Sequence, residues 1–296
     1  MTPRLYTALF LYLSAGIVLA ATSEEQKQAE PTVETQGFTL TPTTHIYTPY
    51  LADQKRVTFA FQTIYVTHEK IPQSGYSRFG LRLGGRLELF KYEWRPVETQ
   101  YAKQLQANLE VGFRGYYDNN YAQDEIGSDG NYGLLFSYRG DRDLAYRFGV
   151  YHTSSHIGDE YLIRTGRDRI GYTREELLGG IQYNLNPKWQ VYAEIGYAYR
   201  LKDKPLQQKN RAQAGLQFQE TGLAISERLG WYAAFDLSSY QERNWHINKS
   251  FQIGYSFDAF PHTWRLAFEY YNGQVPLGEF FKFDEEFISL GLYLDL

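Results

Sequence analysis

The last ten residues of the chain, from Phe287 to Leu296, alternate between apolar side chains and polar or small ones. Successive side chains of a β-strand point to opposite faces, so this segment has one apolar and one polar face. The apolar face holds Ile288, Leu290, Leu292, Leu294 and Leu296, and the polar face holds Ser289, Gly291, Tyr293 and Asp295. Ending a chain on such a strand is typical of a sheet that closes on itself into a barrel.

The same period of two begins near Arg56 and recurs to the end of the chain. It places twelve candidate strands, at residues 55–65, 76–91, 102–117, 131–139, 143–155, 174–184, 188–200, 208–218, 230–241, 247–257, 263–271 and 286–296. An even number of strands suits an antiparallel barrel with both chain ends on one side. We therefore predict an all-β, antiparallel, up-and-down transmembrane β-barrel of about twelve strands over residues 55–296.

The end of the chain resembles the C-terminal insertion signal of bacterial outer-membrane barrels. That signal is a polar residue, a glycine two positions on, and apolar residues at the third-last and last positions, here Ser289, Gly291, Leu294 and Leu296. The resemblance implies the bacterial outer membrane as the location and the barrel-insertion machinery as a partner. Short connections at 140–142 and 186–188 then form periplasmic turns, whereas those at 92–101 and 219–229 are longer than such turns usually are.

The beginning of the chain has the features of a signal peptide for Sec-type export over residues 1–20. Arg4 precedes a largely apolar run from Leu5 to Leu19, and small residues precede a cleavage site after Ala20. Residues 21–54 are predicted to be a flexible periplasmic lead-in, because their first half is polar and rich in Pro, Thr and Glu. After residue 20 the sequence has no run of 18 apolar residues, so it predicts no transmembrane helix.

The composition fits a barrel in a membrane and excludes several other classes. The chain has 27 Tyr, 19 Phe and 5 Trp, which suits the aromatic girdles at the two membrane interfaces. It has no cysteine, so it holds no disulfide, no thiolate metal site and no cysteine nucleophile. The net charge of -4, without a basic cluster, indicates no nucleic-acid partner.

Charged residues recur on the face of the strands that is predicted to line the lumen. They are Arg78, Arg82, Arg86, Glu88, Glu110, Arg114, Arg147, Glu194, Arg200, Asp236, Arg265 and Glu269. Two interpretations remain open for this set. It is either a paired network that fills a narrow lumen, which we favour because enclosed charges must be paired, or the lining of a pore.

One strand carries residues with catalytic chemistry on its predicted lipid face. The parity of Leu144, Phe148 and Val150 continues to His152 and Ser154, where an imidazole can take the proton of a neighbouring hydroxyl. Glu175 lies on the same face of the next strand and can orient the imidazole, as the third member of a triad does. The alternative is that these groups sit at headgroup level, where water reaches them and their polarity costs little.

The His-x-Ser signature on a barrel wall resembles outer-membrane phospholipases and lipid A deacylases. The resemblance covers three residues: His152 and Ser154 match the base and nucleophile, and Glu175 resembles the acidic partner of the deacylases. The Asn partner expected of the phospholipases has no counterpart that we identify. The resemblance implies outer-membrane lipid and lipopolysaccharide as partners, and Ca²⁺ if the chain is a lipid hydrolase; otherwise we expect no cofactor and no protein-bound metal.

A wider resemblance covers most of the mature chain. The segments 49–53, 83–86, 151–161, 239–245 and 269–273 are similar to a family of uncharacterised bacterial outer-membrane proteins, known only as a domain of unknown function. It makes 152–161 the most distinctive stretch, with His156, Asp159 and Glu160 as secondary candidates. Asp159 and Glu160 can instead pair with Arg164 or Arg167. Together with Asp124, Glu125 and Asp129 they are also loop carboxylates that can bind Ca²⁺, although their spacing matches no calcium loop.

Three classes of function therefore stay open. The chain is a structural or surface-presenting barrel without catalysis, a lipid-active serine hydrolase that uses His152, Ser154 and Glu175, or a narrow channel.

Overall fold

The computed structural model of the chain describes residues 33–97, 101–140, 142–202, 206–259 and 262–295. The predicted signal peptide at 1–20 and the terminal Leu296 lie outside the described residues. No helix in the described ranges is long and apolar enough to cross a membrane.

Twelve antiparallel strands close into a barrel, as the sequence predicts. Each strand pairs with the next along the chain from β2 to β13, and β13 pairs with β2 to complete the ring. The strands are β1 Val33–Leu40, β2 Phe59–His68, β3 Ser77–Pro96, β4 Lys103–Asp118, β5 Asp124–Arg139, β6 Leu144–Ile157, β7 Thr173–Asn184, β8 Trp189–Leu201, β9 Asn210–Glu220, β10 Leu229–Tyr240, β11 Ile247–Ala259, β12 His262–Gln274 and β13 Asp284–Asp295. Helix α1 spans Asp159–Thr165, and Gly166 ends it with φ 64°.

The alternation of side chains decides which face of each strand turns outward. Ile195 is 69% exposed and Leu290 is 58% exposed, whereas the neighbouring Glu194 and Ser289 are 4% and 3% exposed. Apolar side chains thus cover the outside and polar ones fill the inside, which is the arrangement of a barrel surrounded by lipid. We call the end that carries α1 the outer end and the opposite end the inner end.

A thirteenth strand, which the strand pattern does not predict, precedes the barrel. β1 pairs with the inner-end half of β3, from Phe90 to Pro96, and the ring of Phe38 stacks on that of Phe90 at 5.7 Å. This pairing extends β3 to 20 residues and accounts for the long connection at 92–101. The prediction of a flexible lead-in is therefore wrong for residues 33–40, because their backbone groups are paired in a sheet.

The segment from Thr41 to Thr58 enters the lumen as a plug, and most of its residues between Ile46 and Thr58 are buried or half-buried. Three glutamines of the barrel wall each hold its backbone with both ends of the side-chain amide. The contacts are Gln106 with Thr44 O and Ile46 N at 2.7 and 2.8 Å, Gln182 with Thr48 O and N at 3.1 and 3.0 Å, and Gln217 with Pro49 O and Leu51 N at 3.3 and 3.1 Å. Residues 41–54 are thus bound to the barrel, which corrects the rest of the flexible lead-in that the structure describes.

The connection between β12 and β13 folds into the outer end as a lid, and every residue from Val275 to Phe281 is buried. Glu279 accepts hydrogen bonds from the backbone N–H groups of Ile170, Gly171 and Tyr172 at 2.8, 2.5 and 3.0 Å. The lid is therefore fastened to the connection between β6 and β7. In the described part of the chain, the plug occupies the lumen from the inner end and the lid covers the outer end.

The wall also fastens the lid, through Asp129 of β5. Its two carboxylate oxygens accept from Gly278 N at 3.0 and 3.3 Å, and the residue is 1% exposed. The sequence places Asp129 in a loop, but β5 begins at Asp124, so only 119–123 form the connection between β4 and β5.

Candidate functional site

The register of β6 and β7 brings the three predicted catalytic residues to one surface. His152 lies directly opposite Glu175, and Ser154 lies opposite Thr173 at the outer end of the pair. On the same face Val150 and Leu177 are 43% and 50% exposed, so this surface is the outside of the barrel. The site is thus part of the outer wall near its outer rim.

A hydrogen bond joins two members of the set. His152 Nδ1 lies 2.8 Å from Glu175 Oε1, and the two side chains are 15% and 21% exposed. The ring of Tyr132 on β5 stacks on the imidazole at 4.4 Å with an angle of 19° between the planes. A carboxylate that accepts from Nδ1–H selects the tautomer in which Nε2 is the basic nitrogen. Glu175 therefore fixes one edge of the imidazole and Tyr132 covers one face. Nε2 is the nitrogen that can accept a proton.

Ser154 is half-buried two residues further along the same face. It faces Gly130 on β5, where an added Cβ would lie 3.4 Å from Ser154 Oγ. Among the described residues its hydroxyl makes no hydrogen bond, and His152 and Ser154 are not bonded to each other. Catalytic hydrogen bonds are often long before substrate binds, so a rotation of the Ser154 side chain has to complete the pair.

The alternate residues of the same strand point into the lumen, where Ser155 holds the lid. Ser155 Oγ accepts from Glu279 N at 2.8 Å, and Thr153 Oγ1 donates to Asn131 Oδ1 at 2.9 Å. The stretch 152–155 therefore serves two environments, with the candidate site outside and the lid attachment inside.

The secondary candidates do not join the site. His156 is exposed on the outer face beyond Ser154. Asp159 begins α1 and pairs with Arg169 at 2.6 Å, so the expected pairing with Arg164 or Arg167 is wrong for this residue. Glu160 beside it is exposed. No group of three or more His, Asp or Glu side chains among the described residues is arranged to hold a metal ion.

Arg200 departs from its predicted place in the lumen. The pairing of β7 and β8 shifts between Glu175 and Glu176, so that Glu175 faces Arg200 whereas Glu176 faces Ala198. This bulge adds one residue to β8 and reverses the faces beyond it. Arg200 is consequently exposed on the outer wall, opposite Glu175.

The other residues predicted to line the lumen point inward, and most of them are paired. Arg147 contacts Glu194 and, at 3.8 Å, Glu110. The remaining contacts are Arg78 with Glu285 at 2.6 Å, Arg86 with Glu88 at 2.7 Å, Arg265 with Asp295, Arg82 with Gln62 at 3.0 Å, Glu269 with Gln252 at 3.0 Å and Asp236 with Tyr192 at 2.6 Å. Arg114 makes no ion pair among the described residues, and its Nε and Nη1 are buried without a partner.

Sequence reasoning missed several members of this network. Arg211 joins Glu176 at 3.1 Å to Glu194 at 2.8 Å, and Arg174 contacts Glu176 as well. The period of two carries the signal for Arg211, since it shares a face with the buried Gln213. Burial of charges on this scale requires pairing, and the network supplies it.

The family model described as "Protein of unknown function (DUF1207)" matches residues 20–295. The chain belongs to this family. Membership agrees with the resemblance seen in the sequence and brings no activity with it. No curated protein matches the chain by sequence.

Among solved structures, the fold is similar to that of outer membrane phospholipase A. The enzyme from Escherichia coli matches with a TM-score of 0.55 and 11% identity, over 80% of this chain and 92% of that one. The dimer of the Salmonella typhi enzyme with bound calcium matches with a TM-score of 0.54 and 11% identity, over 80% and 90%. At such identity the likeness is one of fold, that of bacterial outer-membrane barrels.

Proposed function

We propose that this protein is a serine hydrolase of the bacterial outer membrane that cleaves acyl-ester lipids from the outside of its barrel. Export by the predicted signal peptide would deliver it there. The proposal is carried by one observation: the hydrogen bond between His152 Nδ1 and Glu175 Oε1 on the lipid-facing wall, beside Ser154. Polar side chains on a lipid-facing surface cost free energy, so an ordered polar pair there indicates a functional site.

The chemistry follows the roles of the three residues. Ser154 Oγ attacks the ester carbonyl carbon while its proton passes to His152 Nε2, and the acyl group becomes esterified to the serine. The imidazolium, stabilised by Glu175, returns the proton to the departing alcohol. Water then attacks the acyl-serine with His152 again as base, which releases a fatty acid and restores the serine.

The interior of the barrel supports this choice over a narrow channel. In the described residues the plug fills the inner end and the lid fills the outer end. Between them lies a cavity of about 100 Å³, lined among others by Tyr50, Lys55 and Arg147. A purely structural barrel remains the competing class, and catalysis separates the two.

The deciding experiment measures fatty-acid release by mass spectrometry. Purified, refolded protein is incubated in mixed micelles with phospholipids and with lipopolysaccharide, with and without Ca²⁺. The variants are Ser154→Ala and, as a control, Thr63→Ala, which removes an exposed hydroxyl from β2 away from the site. We expect release by the parent and the control, and a loss of about 10³-fold or more in Ser154→Ala. Folded protein that releases nothing from any lipid, or Ser154→Ala that stays active, would overturn the proposal.

A further inference from the structure

Two cations lie on the outer wall beside the candidate site. Arg200 is exposed opposite Glu175 because of the bulge in β8, and Lys202 is exposed two residues beyond it. Lys202 N donates to Thr173 O at 3.3 Å, and an added Cβ at Gly171 would lie 3.1 Å from Lys202 Nζ. Since Thr173 faces Ser154, the lysine lies next to the strand that borders the nucleophile.

Within the described part of the chain, these cations are available to an anion from outside. Among the described residues, neither Arg200 nor Lys202 has a carboxylate oxygen within 4.0 Å. Both sit at the outer rim, where the headgroups of a surrounding bilayer would lie. Guanidinium and ammonium groups bind phosphate oxygens through charge-assisted hydrogen bonds. The pair therefore offers a phosphate site at the level of the candidate nucleophile.

A shallow, open apolar groove of about 500 Å³ runs along the same wall on the inner side of the site. Its walls include Phe148, Ile181 and Ile195, and its floor is Gly179, where the nearest atom to an added Cβ is Ile195 Cγ1 at 3.9 Å. Phe148 faces Gly179 and His152 faces Glu175, so floor and site lie four residues apart on the same strands. Ser154 lies two residues further, so at about 3.3 Å per residue an acyl chain whose ester lies at Ser154 spans roughly 20 Å to reach Gly179, and only a long acyl chain does so.

We propose that the site binds a phosphate-bearing acyl-ester lipid, with its phosphate at Arg200 and Lys202 and its acyl chain in the groove over Gly179. The order of features along the wall supports this occupant. Cations lie at the rim, the nucleophile lies beside them, and an apolar groove continues toward the middle of the barrel. A lipid in a bilayer has its phosphate, ester and hydrocarbon in the same order. The inference rests on the proposed hydrolase site and names its substrate class.

Binding is measured separately from catalysis, in the Ser154→Ala background, by native mass spectrometry of lipid retained from detergent. The ligands are dipalmitoyl phosphatidylglycerol, lipid A, dipalmitoylglycerol without phosphate, and dibutyryl phosphatidylglycerol with short chains. We test the double variant Arg200→Gln with Lys202→Gln, and the single variant Gly179→Leu. The matched controls are Lys249→Gln, an exposed lysine of β11, and Ala233→Leu, a lipid-facing alanine of β10.

The double variant should bind dipalmitoyl phosphatidylglycerol about tenfold more weakly and leave binding of dipalmitoylglycerol unchanged, because only the phosphate contact is lost. Gly179→Leu should weaken binding of the long-chain lipid and leave binding of the short-chain lipid unchanged. The controls should change neither. Equal binding of lipids with and without phosphate, or unchanged binding by both test variants, would overturn the inference. If binding follows the expected pattern and the parent hydrolyses nothing, the lipid site stands and the hydrolase fails.

Discussion

His152 Nδ1 and Glu175 Oε1 meet at 2.8 Å across two neighbouring strands, on the face of the barrel that turns toward lipid. Tyr132 covers one face of the imidazole, so the ring has little freedom to turn away from the carboxylate. The ion pairs that hold the barrel together, such as Arg78 with Glu285, are buried in the lumen. A pair kept outside, beside an unbonded serine, is arranged to act on something that arrives from the membrane.

Replacing Glu175 by Gln tests the role of the carboxylate. The amide keeps the size of the side chain but removes the charge that stabilises the imidazolium, and it no longer enforces the tautomer with a basic Nε2. We expect kcat for fatty-acid release to fall by about 10²–10⁴-fold with the barrel folded as before. Glu227→Gln, an exposed acid near the inner end, should leave kcat unchanged. Unaltered kcat in the Glu175 variant would remove it from the mechanism.

The orientation of most wall residues could be predicted from the sequence, because the alternation of side chains applies to each strand independently. The faces of His152, Ser154 and Glu175 follow from the parity of their apolar neighbours, and the structure places all three on one surface. The same reasoning failed at Arg200, because a single bulged residue reverses the faces of everything beyond it. Nothing in the composition of β8 announces that bulge.

The plug could not be predicted from local pattern. Its segment has no period of two, and its binding depends on glutamines that follow it by 60 residues at Gln106 and by 166 at Gln217. These glutamines bind backbone groups, so no complementary side chain in the plug marks the contact. A polar segment rich in Pro and Thr therefore reads as unstructured although it fills the lumen.

Replacing Glu279 by Ala should loosen the lid. Three backbone N–H groups, those of Ile170, Gly171 and Tyr172, lose their acceptor, and an unsatisfied buried donor costs about 1–3 kcal/mol. We expect faster hydrogen exchange in 158–172 and 275–283 and unchanged exchange in β9–β11. Glu160→Ala, which removes an exposed carboxylate from α1, provides the control. Exchange rates that match the parent would show that the apolar contacts of the lid suffice to hold it.

Replacing Glu194 by Gln should destabilise the whole barrel. Glu194 contacts both Arg147 and Arg211, and the amide leaves two buried guanidinium groups short of negative charge. Breaking a buried ion pair from one side typically costs about 3–5 kcal/mol. The urea midpoint of unfolding in micelles should fall accordingly, whereas Glu93→Gln near the inner end should leave it in place. A midpoint like that of the parent would mean that water replaces the lost partner.

Replacing residues 42–57 by a Gly/Ser linker of equal length should open the inner end of the lumen alone. The linker lacks the fixed backbone that Gln106, Gln182 and Gln217 hold, and Ser250 loses the hydrogen bond that Gln54 Nε2 donates at 3.0 Å. The chain contains no cysteine, so Ser250→Cys provides a single reporter inside the lumen. A membrane-impermeant maleimide should label it rapidly from the inner side in the linker protein and slowly in the parent.

Conductance across a planar bilayer should stay near zero in both proteins, because the lid still covers the outer end. It should rise only when Glu279→Ala is added to the linker protein. Rapid labelling of the parent would mean that the plug leaves the lumen unaided, and steady conductance by the parent would favour the channel over the other two classes of function.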